Sequence, residues 1–453
     1  MLIFLSGEGG CGKTYLLNII NNMMTMNGLT VRKLATTGYA ATLIDGQTVH
    51  GFFSINYLLK CTLQYDSSKW HTLRETDVFI IDECSLMSDE LLNLIEEVLS
   101  RIYHDVMKKD AIRYKFGKKT IILVGDLLQL AAISTFNRPI TQLYQSNFLE
   151  NFLPFILQNN MRAIEDPAYS EFLSKCRVGE YDFDYIVGRI CGKGHDYTDD
   201  CKNMMDSVNI CSLHKNRKEN IMKTLDTYFP NQERVVINSV DTNEDGSLVS
   251  ESVTKKITET SGYFEENLIL TKGCKIILIK DVNIELKISN GLDGEYVDHS
   301  DYVLLMKLKD NTIIPIPKMR QKIDKLENQN TFVYRTQFPI LNGYSVTIHR
   351  VQGATLKKTH LYLDKTIFCD GQAYVALSRA KNAESVHLLS FDKYAFKTNM
   401  EIVDLIEYAK INKTIKKYKS KIDVKNNNIN NDDTYLCETT TTIKVRLRNF
   451  YKN

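Results

Sequence analysis

The sequence predicts an α/β protein whose parallel strands carry polar residues at their carboxyl ends. Three apolar runs and the residues that follow them support this fold class. An apolar run at residues 2–5 is followed by a glycine-rich loop and then by a segment of helical character. Two further apolar runs, at residues 78–81 and 120–124, are each followed within two residues by an aspartate. Short, fully apolar runs of this kind are typical of strands buried on both faces, as in a parallel sheet covered by helices.

The bulk composition is that of a globular chain without a broad basic surface. Its 453 residues are enough for about three domains, and 43% hydrophobic and 25% charged residues are ordinary values for folded proteins. The net charge of +2 excludes a histone-like wrapper, so any contact with nucleic acid must be local. No apolar run approaches the roughly 18 residues of a membrane span, so we expect no membrane partner.

Cysteine usage indicates the compartment. The ten cysteines are scattered and form no C-x-x-C pair, which favours a reducing compartment over a disulfide framework. The sequence has no secretory signal, so we expect the protein to act inside the cell, in the nucleus or the cytoplasm. Its richness in Asn, Ile, Lys and Tyr is typical of an AT-rich coding genome. That favours a large DNA virus or a mobile element as the source, in which case the compartment is that of the host cell.

The segment G-E-G-G-C-G-K-T at residues 7–14 is a phosphate-binding loop with the required strand before it and helix after it. Backbone N–H groups of such a loop surround a β-phosphate, its lysine reaches the β/γ oxygens, and its threonine hydroxyl ligates Mg²⁺. Lys13 is therefore also a catalytic candidate, and Thr14 a metal ligand. The predicted nucleotide-binding residues are Gly7, Gly9, Gly10, Cys11, Gly12, Lys13 and Thr14.

Polar residues after the next two apolar runs complete a hydrolytic site. Asp82 is expected to hold Mg²⁺ and Glu83 to act as general base on the attacking water. An apolar run that ends in Asp-Glu is a weak signal by itself, but it gains weight downstream of a phosphate loop. Gln129 is predicted to sense the γ-phosphate, since ligands bind at the carboxyl ends of parallel strands. For Asp126, a helix N-cap is an equally good interpretation.

Motifs in the first half of the chain resemble those of superfamily 1B DNA helicases of the petite-integration-frequency (PIF) type, relatives of the RecD subunit. Residues 35–41 (A-T-T-G-Y-A-A) are similar to A-P-T-G-x-A-A, and residues 48–52 (T-V-H-G-F) to T-I-H-S-F. Residues 81–87 (I-D-E-C-S-L-M) are similar to I-D-E-I-S-M, and residues 125–130 to G-D-x-x-Q-L.

The second half carries longer motifs of the same family. Residues 290–294 are similar to its N-G-x-x-G turn, and residues 347–356 (T-I-H-R-V-Q-G-A-T-L) to T-I-H-K-S-Q-G-Q-T-L. Residues 371–379 match G-Q-A-Y-V-A-L-S-R at every position. The resemblance therefore spans about residues 2–390.

The resemblance implies roles for residues that the local sequence leaves undecided. Arg379 and Arg162 would be arginine fingers supplied to the nucleotide by the second half of the chain. Gln352 and Gly353 would touch both the nucleotide and the DNA strand, and so couple closure of the site to movement. A plain surface charge remains an alternative for a lone arginine after a loop.

Four small polar residues match family positions that line a channel for single-stranded DNA: Thr37, His50, Thr347 and His349. Hydroxyls and neutral imidazoles suit this role because they hydrogen-bond to phosphates without reading bases. For the two histidines, an ordinary cap or core position remains an alternative.

The resemblance also implies two RecA-like P-loop NTPase lobes with the nucleotide between them. The first would cover residues 1–145, with a small wedge insertion at 54–76. The second would cover residues 146–400, with an SH3-like β insertion at about 291–335, where short β-favouring runs alternate with turns. Residues 401–453 are basic and then Asn/Thr-rich, a composition that predicts a flexible tail.

These features predict an ATP- and Mg²⁺-dependent DNA helicase that acts as a monomeric motor on single-stranded and forked DNA. The resemblance implies 5′→3′ movement and a place in replication, recombination or repair, with proteins of replication or recombination as further partners. A single-strand translocase or a remodelling NTPase that does not separate strands is the alternative. A catalytically dead DNA-binding module is disfavoured, because every hydrolytic residue type is present.

Several features depart from the family's pattern. Thr36 stands in place of a proline, Gly51 in place of a serine, and Thr271 where a lysine is usual. Each is expected to alter the grip on the strand and to spare hydrolysis. The family also recognises adenine through an upstream segment containing a glutamine, and the six residues before Gly7 do not supply it. We therefore expect loose selectivity for the nucleotide base.

Overall fold

The computed structural model describes residues 1–56, 59–107, 114–133, 139–191, 207–254, 264–280, 282–283, 286, 288, 292–323 and 333–415. Several predicted features lie wholly or partly outside these ranges: the Asn-Gly pair at residues 290–291, parts of the insertions at 54–76 and 291–335, and the tail beyond residue 415. In the described ranges, no helix combines the length and the apolar character that crossing a bilayer requires.

A six-stranded sheet forms the centre of the first lobe. Its order is β3-β2-β4-β5-β1-β6, and every pairing is parallel. The strands are β1 (Leu2–Gly7), β2 (Val31–Ala35), β3 (Gln47–Thr48), β4 (Val78–Asp82), β5 (Thr120–Gly125) and β6 (Leu153–Leu157). The helices are α1 (Lys13–Met26), α2 (Gly38–Leu43), α3 (Val49–Phe53), α4 (Ser68–Glu75) and α5 (Asp89–Met107). Because β1, β4 and β5 are neighbours, the residues that follow them meet at one edge of the sheet.

A four-stranded parallel sheet of order β18-β7-β19-β20 forms the second lobe. Its strands are β7 (Ser207–Cys211), β18 (Ser345–Thr347), β19 (Lys358–Leu363) and β20 (Val386–Phe391). The helices are α6 (Pro167–Arg177), α7 (Phe183–Tyr185), α8 (His214–Tyr228) and α9 (Gln372–Leu377). Residues of α6 and α9 share one hydrophobic core with this sheet. The two parallel sheets confirm the predicted α/β class.

Two segments cross the predicted lobe boundaries. β6 pairs with β1, so the first sheet extends past the boundary predicted at residue 145. Helix α10 (Met400–Asn412) buries Ile402, Leu405 and Ile406 in the core of the first lobe. The prediction of a flexible tail from residue 401 was therefore wrong for residues 401–415. The apolar residues Ile402, Leu405, Ile406 and Ala409 have helical spacing, a local signal that the polar composition of the segment as a whole obscured.

Antiparallel sheets occupy the chain between α8 and β18. Five strands have the order β14-β13-β12-β11-β17: β11 (Lys275–Leu278), β12 (Asp293–His299), β13 (Val303–Lys307), β14 (Ile313–Pro317) and β17 (Ile340–Asn342). The smaller sheets pair β9 (Val240–Asn243) with β16 (Val333–Gln337), β16 with β15 (Met319–Ile323), and β8 (Val235–Asn238) with β10 (Asn267–Leu270). The insertion predicted at 291–335 is thus too short at both ends. β11 and β17 pair with each other across more than 60 residues, which no local pattern shows.

The predicted wedge insertion at 54–76 packs on the first lobe. Ser67 caps α4 by accepting a hydrogen bond from the backbone N–H of Trp70, and Trp70 and Leu73 are buried in the core. Tyr65 packs against the Trp70 ring at a centroid distance of 5.2 Å but stays largely exposed. The insertion therefore presents an aromatic ring to solvent from a rigid base.

Short turns connect the main elements. The 3-10 turns are Cys84–Leu86, Lys115–Lys118, Leu143–Gln145, Leu149–Asn151, Ile348–Val351, Ala383–Ser385 and Lys393–Ala395, and a π-helical turn covers Ile186–Cys191. The turn at Ile348–Val351 follows β18 directly and leads into Gln352. It thereby carries the segment 347–356 from the second sheet toward Glu83 of the first lobe.

Candidate functional site

The phosphate loop joins the end of β1 to the start of α1. Gly10 and Gly12 have φ angles of 92° and 82°, in the left-handed region that favours glycine. A Cβ on Gly10 would lie 2.5 Å from the Cβ of Arg162, whereas one on Gly12 would meet nothing within 4 Å. The Lys13 ammonium donates to the carbonyl oxygens of Gly7 and Glu8, both at 2.8 Å. The Lys13 side chain is thus folded over the carbonyl groups of its own loop.

Asp82 and Glu83 lie beside the loop at the end of β4. Asp82 is buried, and its Oδ1 accepts the backbone N–H of Glu83 at 2.8 Å. Burial first, and then the negative charge of Glu83, raise the pKa of Asp82 to about 7, while Lys13 opposes the shift. A carboxylate that is costly to ionise here would gain from a cation. The Asp82 carboxylate and the Thr14 hydroxyl offer the oxygen ligands that Mg²⁺ prefers, so these residues fit the metal.

This pKa predicts how metal use depends on pH, because a proton and Mg²⁺ compete for the Asp82 carboxylate. From pH 8 to pH 6 the ionised fraction of a group with this pKa falls from about 0.9 to about 0.1. We expect the Mg²⁺ concentration that gives half-maximal ATP hydrolysis to rise about tenfold over that range. Titrating Mg²⁺ at the two pH values checks this, with Asp82→Asn as the variant that should lose the difference. Equal half-saturating concentrations in the wild type would refute the metal role of Asp82.

Gln352 and Gly353 meet the proposed general base. The Gln352 side-chain amide donates to Glu83 Oε2 at 3.0 Å and to Ser85 Oγ at 3.3 Å. Gly353 has a φ of 81°, and a Cβ there would lie 3.1 Å from Glu83 Oε1. The structure therefore brings these two residues, predicted to bind the nucleotide, against the carboxylate that would activate water.

The two predicted arginine fingers approach the loop from different directions. Arg379 is fully buried at the end of α9, and a Cβ on Gly9 would lie 3.4 Å from its Nη2. Its guanidinium also donates to the carbonyl oxygens of Val375 and Ala354, at 2.8 and 3.1 Å. Arg162 donates from Nη1 to the Ser378 carbonyl at 2.7 Å. Both arginines are thus anchored beside the loop, and neither is a plain surface charge.

Gln129 also reaches the loop. A Cβ on Gly9 would lie 3.4 Å from Gln129 Nε2, the same distance as from Arg379. Both Gln129 Oε1 and Gln352 Oε1 are buried and lack a hydrogen-bond partner among the described residues. Each of these oxygens therefore has room in its hydrogen-bonding capacity for a water or a ligand.

Asp126 has a different environment from the one predicted. It is completely buried and accepts hydrogen bonds from Arg177, with Nη2 at 2.8 Å from Oδ1 and Nε at 3.1 Å from Oδ2. Its Oδ1 also accepts the backbone N–H of Leu128 at 3.2 Å, which stabilises the turn after β5. Asp126 therefore serves as a turn residue and as half of an ion pair.

Two residues of this site were missed in the sequence. Arg177 ends α6 and carries no motif, and its partner Asp126 is 51 positions away, so no local signal could have revealed it. Tyr374 lies within the motif at residues 371–379 but was not singled out. Its hydroxyl oxygen accepts the Gly9 N–H at 2.7 Å.

The four predicted DNA contacts are divided between the lobes. Thr37 Oγ1 accepts the Ala40 N–H at 3.2 Å and so caps the start of α2. His50 lies half-buried in α3, and burial lowers its pKa. Thr347 is buried at the end of β18, and the half-buried His349 ring stacks on Phe368 at 6.2 Å. Burial lowers the pKa of His349 as well, so both imidazoles favour the neutral form.

Comparison with known proteins gives consistent relationships for most of the chain. The family model described as "PIF1-like helicase" matches residues 1–180, and "Viral superfamily 1 RNA helicase core domain" matches residues 241–388. The ATP-dependent DNA helicase Pif1 of Bdellovibrio bacteriovorus is 26% identical over 408 residues, with 86% of this chain and 84% of the relative covered. PIF1 of Xenopus laevis is 24% identical over 420 residues, with 88% and 60% covered.

Solved structures share the fold. The crystal structure of Pif1 helicase from Candida albicans aligns with a TM-score of 0.72 at 23% identity, covering 90% of this chain and 95% of that one. Pif1 helicase from Bacteroides, in complex with ADP-AlF3 and single-stranded DNA, aligns with a TM-score of 0.70 at 22% identity, covering 90% and 94%. The two-lobed architecture with its β insertion is therefore common to these proteins and this chain.

Proposed function

We propose that the chain is a PIF1-like helicase, an ATP-dependent DNA helicase that moves 5′→3′ along single-stranded DNA and separates the duplex ahead. One observation carries the hydrolytic part of this proposal. Arg379 and Gln129, which belong to different lobes, both lie 3.4 Å from the position of a Cβ on Gly9 in the phosphate loop. Such a site is complete only when the lobes are closed, as a motor requires.

Hydrolysis would use the residues already placed around the loop. Lys13 would leave its two carbonyl partners and bind the β/γ oxygens of the nucleotide. Glu83 would accept a proton from the attacking water, with its carboxylate held in place by Gln352. Arg379 and Arg162 would neutralise charge that develops on the transferred phosphoryl group. Mg²⁺, when bound by Thr14 and Asp82, supplies further neutralisation of the phosphate oxygens.

Coupling to DNA would run through residues 347–353. Thr347 and His349 lie at one end of this segment and are proposed to contact backbone phosphates, together with Thr37 and His50 of the first lobe. Gln352, at the other end, contacts Glu83 directly. A shift of the bound DNA strand would therefore move the Gln352 side chain, which orients the proposed general base Glu83. Opening one base-pair step costs about 1.4 kcal/mol of stacking, so separation of a pair per cycle is a modest demand.

The proposed setting is the interior of a cell, in the nucleus or the cytoplasm, with single-stranded and forked DNA as substrates. A monomeric motor suffices for the chemistry, since the phosphate loop and both arginines belong to one chain. Proteins of replication, recombination or repair are the proposed partners.

Forked substrates test polarity and strand separation together. With ATP and Mg²⁺, we expect displacement of the labelled strand from a duplex with a 5′ single-stranded tail. Displacement from a 3′-tailed or blunt duplex is expected to be at least about tenfold slower. Gel or fluorescence assays measure this directly. Unwinding from the 3′ tail alone would contradict the proposed direction. ATP-driven removal of a protein block from single-stranded DNA without strand separation would instead support a translocase.

A further inference from the structure

A chain of buried polar groups connects the second lobe to the phosphate loop. Asp126 accepts three hydrogen bonds from Arg177, and the Tyr374 hydroxyl lies 3.5 Å from Asp126 Oδ2. The same hydroxyl oxygen accepts the Gly9 N–H at 2.7 Å. All four groups are buried, so each contact is made away from water. We call Arg177, Asp126, Tyr374 and Gly9 the relay.

The direction of each hydrogen bond in the relay is fixed by chemistry. Arg177 and the Gly9 N–H can only donate, and the ionised Asp126 can only accept. Burial alone would raise the pKa of Asp126, but the charge and hydrogen bonds of Arg177 bring it below its ordinary value. Tyr374 accepts from Gly9, so its single proton points toward the carboxylate. Asp126, held by Arg177, thus faces the proton of the Tyr374 hydroxyl across 3.5 Å.

The relay crosses between the lobes three times. Gly9 and Asp126 follow β1 and β5 of the first sheet, whereas Arg177 and Tyr374 belong to α6 and α9, which pack in the second core. If the lobes separated, Asp126 would lose its countercharge and Gly9 its acceptor. The contacts of the relay therefore exist only in the closed arrangement of the lobes.

Gly9 is the point at which the relay meets the hydrolytic groups. A Cβ at this position would lie 3.4 Å from Arg379 Nη2, Gln129 Nε2 and Ser378 Oγ. Gln129 is itself tied to the relay, since its Nε2 lies 3.5 Å from Asp126 Oδ2. A small displacement of Gly9 or Gln129 would therefore change the geometry around the γ-phosphate.

We propose that Arg177 and Tyr374 are positioning residues that hold the phosphate loop and Gln129 in the geometry for hydrolysis only when the lobes are closed. The proposal rests on the proposed function, because it assumes that ATP is hydrolysed at this loop. Neither residue needs to touch the nucleotide. Their effect is expected on the chemical step and not on the affinity for ATP.

Tyr374→Phe is the smallest test, because it removes one hydroxyl and keeps the buried ring. We expect kcat for ATP hydrolysis to fall about 5- to 10-fold, the size of one lost hydrogen bond, with KM for ATP changed less than about twofold. Tyr169→Phe is the matched control. Tyr169 is an equally buried tyrosine of the same core, and its hydroxyl donates to the Leu377 carbonyl at 2.7 Å, outside the relay. The Tyr169→Phe variant should lose about as much thermal stability as Tyr374→Phe and should retain kcat within about twofold of the wild type.

Combining Tyr374→Phe with Arg177→Lys asks whether the two residues act as one unit. In a relay the double variant loses little more kcat than the worse single variant, because either change already breaks the chain. Losses that multiply, an unchanged kcat in Tyr374→Phe, or an equal loss in Tyr169→Phe would overturn the proposal. If the wild type hydrolyses ATP but does not unwind forks, the proposed function fails. The kcat values of the single and double variants then still test the relay. A wild type without ATP hydrolysis overturns both.

Discussion

Arg379→Ala is expected to lower kcat for DNA-stimulated ATP hydrolysis by about 10³-fold or more, the range seen for arginine fingers in NTPases. The guanidinium lies beside Gly9 and would stabilise charge that appears only in the transition state. ATP affinity should change less than about threefold, since ground-state contacts come mainly from the loop. Single-turnover hydrolysis and equilibrium binding of a fluorescent ATP analogue measure the two quantities separately.

The structure also gives Arg379 an anchoring role, which the control must separate from chemistry. Its side chain donates to the Val375 and Ala354 carbonyls and to Ser378 Oγ, at 2.8, 3.1 and 2.7 Å. Arg379→Lys keeps the positive charge, but an ammonium cannot make these several hydrogen bonds at once. The kcat of this variant therefore shows how much turnover depends on the anchoring contacts. Both variants should be compared at temperatures well below their melting points. Equal losses of binding and turnover in Arg379→Ala would argue against a finger.

Lys13→Ala is expected to reduce ATP hydrolysis by about 10²- to 10³-fold, because it removes a fixed charge aimed at the β/γ oxygens. Nucleotide binding should weaken as well, which distinguishes this variant from Arg379→Ala. The fold should survive, since Lys13 is partly exposed and its partners are two loop carbonyls. Steady-state ATPase assays with and without single-stranded DNA, together with thermal unfolding, check these expectations.

Lys33→Ala provides a matched control for the loss of a lysine in the same lobe. Lys33 lies on β2 and pairs with Asp45 at 3.8 Å, a contact of low expected value because Asp45 is fully exposed. This variant should keep ATP hydrolysis within about twofold of the wild type. If Lys13→Ala retained similar turnover, the nucleotide would have to bind elsewhere in the protein.

The sequence by itself determined the parts of the site that are built from neighbouring residues. The phosphate loop is recognisable because its strand, glycines, lysine and helix follow one another within 20 residues, and the structure has them as β1, loop and α1. Asp82 and Glu83 were found because an apolar strand ends directly before them. The family resemblance added Arg379 and Gln352, whose motifs are contiguous segments. Their roles in hydrolysis and DNA binding stay predictions.

Only the tertiary structure decided which distant groups share a buried environment. The Arg177–Asp126 ion pair, the Gln352–Glu83 hydrogen bond and the packing of α10 join residues that are 51, 269 and more than 200 positions apart. A local pattern records which face of an element is apolar, but not which element covers it. Such contacts depend on how the two sheets and their helices pack on each other. The sequence alone therefore could not show that these residues are partners. The phosphate loop could be read from the sequence for the opposite reason, since its geometry depends on residues within the loop itself.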